Sequence, residues 1–157
     1  MENKALGTFF KNNYETIQEL TNSFNEYKKN LHQKVFQLKD AIPQSEYAPS
    51  AVKQWIYDGC CLVHDYTINP NYWISVDTYI TVKGWEIQLF GREQSVGSSD
   101  FLYNVMCKDA DFLPQPLESY ERAERLIYQR FDEDVEISEV AKVLSDLLLR
   151  IEKYKNR

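Results

Sequence analysis

The stretch Tyr72-Trp73-Ile74-Ser75-Val76-Asp77-Thr78-Tyr79-Ile80-Thr81, then Val82-Lys83-Gly84, then Trp85-Glu86-Ile87-Gln88-Leu89-Phe90-Gly91-Arg92, decides the fold. Apolar and polar residues alternate on either side of a short turn signal, which is the period-two pattern of an antiparallel hairpin. With the turn centred on Val82-Lys83, Ile80 faces Trp85, Thr78 faces Ile87 and Val76 faces Leu89. The other face then carries Asp77, Tyr79, Glu86 and Gln88, with Ser75, Phe90 and Arg92 nearby, and is expected to meet solvent. Upstream, Cys61 to Ile68 reads as a further strand, set off by Asn69-Pro70-Asn71.

Helical spacing dominates on both flanks. From Lys4 to Lys39 the residues Phe10, Ile17, Phe24, Leu31 and Leu38 recur every seven positions, with Leu20 and Tyr27 beside them. One straight helix of that length would run roughly 50 Å, more than the ~40 Å expected across a compact domain of this size, so it must break, bend or overhang. It should stop near Ala41-Ile42-Pro43, because a residue before Pro avoids the helical conformation. A short helix is expected over Pro49 to Tyr57 with Val52, Trp55 and Ile56 buried, and Phe101 to Met106 reads as a fourth strand. Pro114 and Pro116 introduce an expected helix from Leu117 to Phe131, with Tyr120, Ala123, Ile127 and Phe131 inward. A last helix should start near Ser138 as N-cap and bury Val140, Val143, Leu144, Leu147, Leu148 and Ile151. The resulting expectation is one α+β domain over residues 1–157, with a long N-terminal helix and C-terminal helices packed on an antiparallel β-meander of three to four strands.

Composition sets limits on function. A chain of 157 residues with 43% hydrophobic and 14% aromatic content can bury a core without staples. No apolar run reaches membrane-helix length and Met1-Glu2-Asn3-Lys4 leads into no signal-peptide core, so a cytoplasmic location is expected. Three cysteines, Cys60, Cys61 and Cys107, with the first two adjacent, argue against a disulfide framework. The net charge of −6 is local, since residues 100–140 carry eleven acids against four bases. Such a stretch repels nucleic acid and attracts a basic partner, or simply keeps a surface solvated.

No phosphate-cradling glycine loop, His-Glu-x-x-His helix, Cys-x-x-Cys pair or Gly-x-Ser-x-Gly elbow occurs in the chain. The hairpin register does bring Asp77, Glu86 and Gln88 onto one face. Asp77 followed by Glu86-Ile87-Gln88 resembles the metal-binding arrangement of PD-(D/E)XK nucleases, in the variant where Gln replaces Lys. The resemblance spans about a dozen residues, lacks a Pro before Asp77, and implies Mg²⁺ held by Asp77 and Glu86 to activate water on a phosphodiester.

Three other groups stand out. Cys60, Cys61, His64 and Asp65 place thiols near an imidazole, although buried cysteines mostly behave as small hydrophobes. His32, on the long helix, is given no role. Tyr66, Tyr72, Trp73 and Tyr79 are of the types that anchor interfaces, with core packing as the alternative. The acidic run Asp132-Glu133-Asp134, with Glu136, suits a basic protein surface. These features favour a non-enzymatic acidic inhibitor of the immunity-protein or phage anti-defence (anti-CRISPR) kind. Its expected partner is a basic, nucleic-acid-handling toxin or defence nuclease, met through Asp132, Glu133, Asp134, Glu136, Tyr66 and Tyr79, with no direct nucleic acid, no membrane and no cofactor. The alternatives are the nuclease reading and a homodimer through the N-terminal helix, whose seam is weakened by Asn13 and Lys34.

Overall fold

A computed structural model of the chain describes residues 4–44, 50–54, 60–69, 72–93, 118–119 and 125–155. The elements are α1 (Lys4–Asn12), α2 (Tyr14–Ala41), β1 (Ser50–Gln54), β2 (Cys60–Asn69), β3 (Tyr72–Thr81), β4 (Gly84–Glu93), β5 (Glu118–Ser119), β6 (Arg125–Phe131) and α3 (Ile137–Lys155). The strands form one six-stranded antiparallel sheet in the order β1-β2-β3-β4-β6-β5, and helices flank it, so the fold is α+β.

The hairpin of β3 and β4 has the expected register, with Ile80 opposite Trp85, Thr78 opposite Ile87 and Val76 opposite Leu89. Its turn is closed by Gly84, whose φ of 109° lies in the region that favours glycine. A Cβ there would collide with the Phe131 carbonyl oxygen of the neighbouring strand, so a side chain is excluded on steric grounds as well.

One sheet face makes the core. Leu31, Val35 and Leu38 of α2 and Val140, Leu144, Leu147 and Ile151 of α3 pack over Leu62, Tyr66, Ile74, Ile80, Trp85 and Leu126. Val35 stands where a strict seven-residue repeat would put Lys34, because an unsupercoiled helix turns every 3.6 residues and drifts off a 3.5 repeat.

The N-terminal helix is both broken and overhanging. Asn13, with φ −118° and ψ 19°, separates α1 from α2. Its backbone N–H and its side-chain Nδ2 both donate to the Phe9 carbonyl, at 3.0 Å and 2.8 Å, and this competition accounts for the local distortion. α1 buries no residue and α2 buries only Leu31, Val35 and Leu38. The helix ends at Ala41 as expected, with Ile42 extended before Pro43.

Several expectations require correction. The helix expected over Pro49 to Tyr57 is strand β1 where it is described, with Ser50 to Gln54 paired on His64 to Cys60. Trp55 and Ile56 lie outside the described residues. The helix expected over Leu117 to Phe131 is strand where it is described, with β6 paired along β4 and β5 paired along β6. Leu126 enters the helix-covered core while Ile127, buried too, sits opposite Gln88 on the other side of the sheet. A register shift between Ile87 and Gln88 further disturbs the alternation. An apolar run that is buried on both faces does not show a two-residue period, and Ile127 and Phe131 then read as helical neighbours. The strand expected at Phe101 to Met106, and Tyr120 and Ala123, lie outside the described residues. Finally, α3 begins at Ile137, and Glu136, whose carbonyl accepts from the N–H groups of Glu139 and Val140, holds the start assigned to Ser138.

Candidate functional site

The polar face of the hairpin is largely shielded, contrary to the solvent-facing side expected from alternation. Ser75, Asp77 and Gln88 are buried there at 5%, 6% and 7% exposure, in company with Cys61, Val63 and Ile127. A buried carboxylate is expensive unless hydrogen-bonded, and the local sequence provides donors. Ser75, two positions before Asp77 and therefore on the same face, donates its hydroxyl to Oδ1 at 2.5 Å, and Tyr79, two positions after, donates to Oδ2 at 3.3 Å. Burial pushes the Asp77 carboxyl above the ordinary range while these two hydrogen bonds pull it back.

Glu86 lies opposite Tyr79 on one side and Arg130 on the other. Arg130 Nε donates to Glu86 Oε2 at 2.9 Å, and Gln88 Nε2 donates to Glu86 Oε1. Asp77, Glu86 and Gln88 thus share the face that the register implied, with Asp77 directly opposite Gln88. Each carboxylate oxygen is already an acceptor for a side chain of this protein, and Asp77 is held towards its neutral form. Among the described residues no group of three or more His, Cys, Asp or Glu side chains is arranged to hold a metal ion.

Next to this row opens a cleft of about 840 Å³ whose wall includes Tyr79, Glu86, Gln88, Arg130, Asp132 and Asp134. The acidic run after β6 is divided by its own backbone. Asp132 and Asp134 are exposed and line the cleft, whereas Glu133 is directed to α2, where its Oε1 accepts from the Tyr27 phenol at 2.8 Å. Lys34 Nζ reaches the Glu133 carbonyl at 3.4 Å. The turn is tightened by the Val135 N–H on the Asp132 carbonyl at 3.2 Å. Glu136, exposed, sits at the start of α3, where the helix dipole favours an acid.

Of the expected partner-facing rings, Tyr79 is half-buried at the cleft and hydrogen-bonded to Asp77. Tyr66 is not at the surface. Its side chain is fully buried in the core, its hydroxyl has no partner among the described residues, and burial pushes its phenol well up. Trp73 is half-buried.

The Cys-His grouping does not assemble. Cys60 and His64 share a face of β2 but stand roughly 13 Å apart at strand rise, and His64 Nδ1 has no partner among the described residues. Cys61 lies on the opposite face, and neither it nor Cys60 is in a disulfide. Burial pushes the Cys60 thiol up, away from a reactive thiolate. Cys107 lies outside the described residues. Sequence reasoning missed Arg130, Lys83 and Thr81 as parts of the cleft, because only the pairing of β6 with β4 brings Arg130 to Glu86.

Among the described residues no helix is long and apolar enough to cross a membrane. Comparisons with protein-family models, with curated proteins and with solved structures give no match.

Proposed function

We propose that this chain is a non-enzymatic inhibitor that sets the acidic lip of the cleft against a basic, nucleic-acid-handling protein, in the manner of immunity proteins and phage anti-defence proteins. The observation that carries the reading is the division of the acidic run. Glu133 is used internally, while Asp132 and Asp134 are exposed on the cleft wall, beside a Glu86 that Arg130 already neutralises. Charges at the rim of a cleft steer a partner of opposite sign and set its orientation.

Affinity capture of the tagged chain from its native host, at low and then moderate salt, tests this. A stoichiometric basic protein that leaves as salt rises, and that is not retained by an Asp132→Lys/Asp134→Lys variant, supports it. An empty eluate, or a partner held equally by the variant, removes it.

The alternative reading, a metal-dependent nuclease using Asp77, Glu86 and Gln88 with Mg²⁺, is supported by their shared face. It requires the cation to displace the Ser75, Tyr79, Gln88 and Arg130 contacts, and this makes it the weaker of the two.

A further inference from the structure

We propose that the overhanging N-terminal helix is an antiparallel dimerisation arm that pairs with the same segment of a second copy of this chain. Tyr27 is the first residue of the helix to pack against the core, so residues 4–26 project beyond it. On this overhang Leu6, Phe9, Phe10, Tyr14, Leu20 and Phe24 are between 43% and 65% exposed. Soluble proteins scatter such residues singly, whereas here the six fall on one side of the helical repeat, with the Lys28 ammonium over the Phe24 ring at 4.8 Å.

The stripe has the sequence spacing of a helix seam, bent where Asn13 separates α1 from α2. Leu6, Phe10, Asn13, Ile17, Leu20, Phe24 and Tyr27 alternate four- and three-residue steps, the spacing that keeps one edge facing another helix. The positions flanking that seam, Gly7, Phe9, Tyr14, Thr16, Thr21 and Ser23, carry no charge. Every charged residue of the overhang, namely Lys4, Lys11, Glu15, Glu19 and Glu26, falls on the outward side of the repeat. Two identical copies can therefore meet along the seam without a like-charge pair.

Charge order along the arm biases the orientation through charges that lie outside the seam and act across the width of the pair. Lys4 and Lys11 occupy one end, and Glu15, Glu19 and Glu26 the rest. An antiparallel pair sets each basic end beside the acidic stretch of the other copy, while a parallel pair aligns like with like. Layers of Leu6 on Phe24, Phe10 on Leu20 and Asn13 on Ile17 then repeat about a two-fold axis. In that register Lys4 of one arm ends at Glu26 of the other, the last residue before the body of the protein, so the arm is as long as the pairing needs.

The area is sufficient. Six large side chains at about half exposure provide at most roughly 100 Å² each, or about 1,200 Å² over both copies, the lower bound of specific interfaces. A lipid surface fits less well, because the outward face has no excess of Lys or Arg.

Sedimentation equilibrium on the full chain up to about 100 µM tests the proposal. The expected mass is twice the 18.6 kDa of one chain. Leu20→Glu/Phe24→Glu, at two positions outside the core cluster, should leave the circular dichroism of the fold unchanged and weaken association by at least roughly 100-fold. In a Cys107→Ser background, mixing Leu6→Cys with Phe24→Cys chains under mild oxidation should give the mixed disulfide. A monomer throughout the concentration range overturns the proposal, whether or not the chain then binds vesicles or a helix of another protein. So does a dimer that survives the double variant, and homodisulfides in place of the mixed one overturn the antiparallel arrangement.

Discussion

The Tyr27 phenol donates to Glu133 Oε1 at 2.8 Å, joining α2 to the connection between β6 and α3 across 106 positions of sequence. The bond holds the acidic turn in place from its far side, and the carboxylate raises the Tyr27 pKa through that hydrogen bond. Tyr27→Phe and Glu133→Ala should each cost under about 1 kcal/mol, since water competes for an exposed bond of this kind. Their double variant should cost less than the sum. Urea unfolding of the four proteins measures the coupling, and strict additivity would show that the contact contributes nothing.

Gly84→Ala should be far more damaging than its size suggests. The positive φ and the collision with the Phe131 carbonyl act together, and a loss of about 2 kcal/mol or more is expected from backbone strain and displacement of β6. Thermal unfolding gives the answer, and a variant that melts within a degree of the parent contradicts the close approach of β4 and β6.

His64 makes stability depend on mild acid. Burial pushes its pKa down to about 4, against an ordinary value of about 6.5. Between those values the unfolded chain takes up a proton that the folded chain refuses, so stability is full above the ordinary value and declines as pH falls towards about 4. His64→Leu should remove this slope, worth on the order of 1–2 kcal/mol between pH 7 and 5. Denaturant midpoints at the two pH values decide it, and equal slopes in parent and variant would place the imidazole in water.

Asp77 acts in the opposite sense. Its folded pKa is raised by burial, so its contribution is most favourable when protonated and is lost as pH rises through the raised value. Asp77→Asn keeps one acceptor oxygen, enough for Ser75 or Tyr79 but not for both, and should gain on the parent as pH rises from 4 to 7, read as the change in the melting-temperature difference. Millimolar Mg²⁺ or Mn²⁺ should leave the parent's melting temperature unchanged, and a rise abolished by Asp77→Ala would instead show a cation site at Asp77, as the nuclease alternative requires.

The parts of this fold that are visible in the sequence are those where polar and apolar residues alternate along a strand, even with both faces shielded, or where one helical stripe is buried. Tyr72 to Arg92 alternates, and its register follows residue by residue. Val140, Leu144, Leu147 and Ile151 keep helical spacing, and α3 emerges close to where it was expected. Arg125 to Phe131 is different. Leu126 and Ile127 are buried on opposite faces of the sheet, and no local pattern distinguishes that from a helix stripe. The candidate site inherits this limit: Asp77, Glu86 and Gln88 are visible as a row, but Arg130, which changes what Glu86 can do, is not. Tyr66 was ambiguous for a simpler reason, since an aromatic ring with a hydroxyl suits a core and an interface alike.

The strand order β1-β2-β3-β4-β6-β5 also has a kinetic side. β2, β3 and β4 are joined by short turns and can zip together through local pairings, whereas β6 must return to β4 across the whole stretch from Glu93 to Arg125. Closing a span of that length costs chain entropy before the pairing of β6 with β4 compensates it, so β6 is expected to dock late in folding. Native-state hydrogen exchange should accordingly find the amides of β6 opening at lower free energy than those of β3. The Arg130 contact and the wall of the cleft would then be the last structure gained by a refolding chain and the first surrendered by a weakened one.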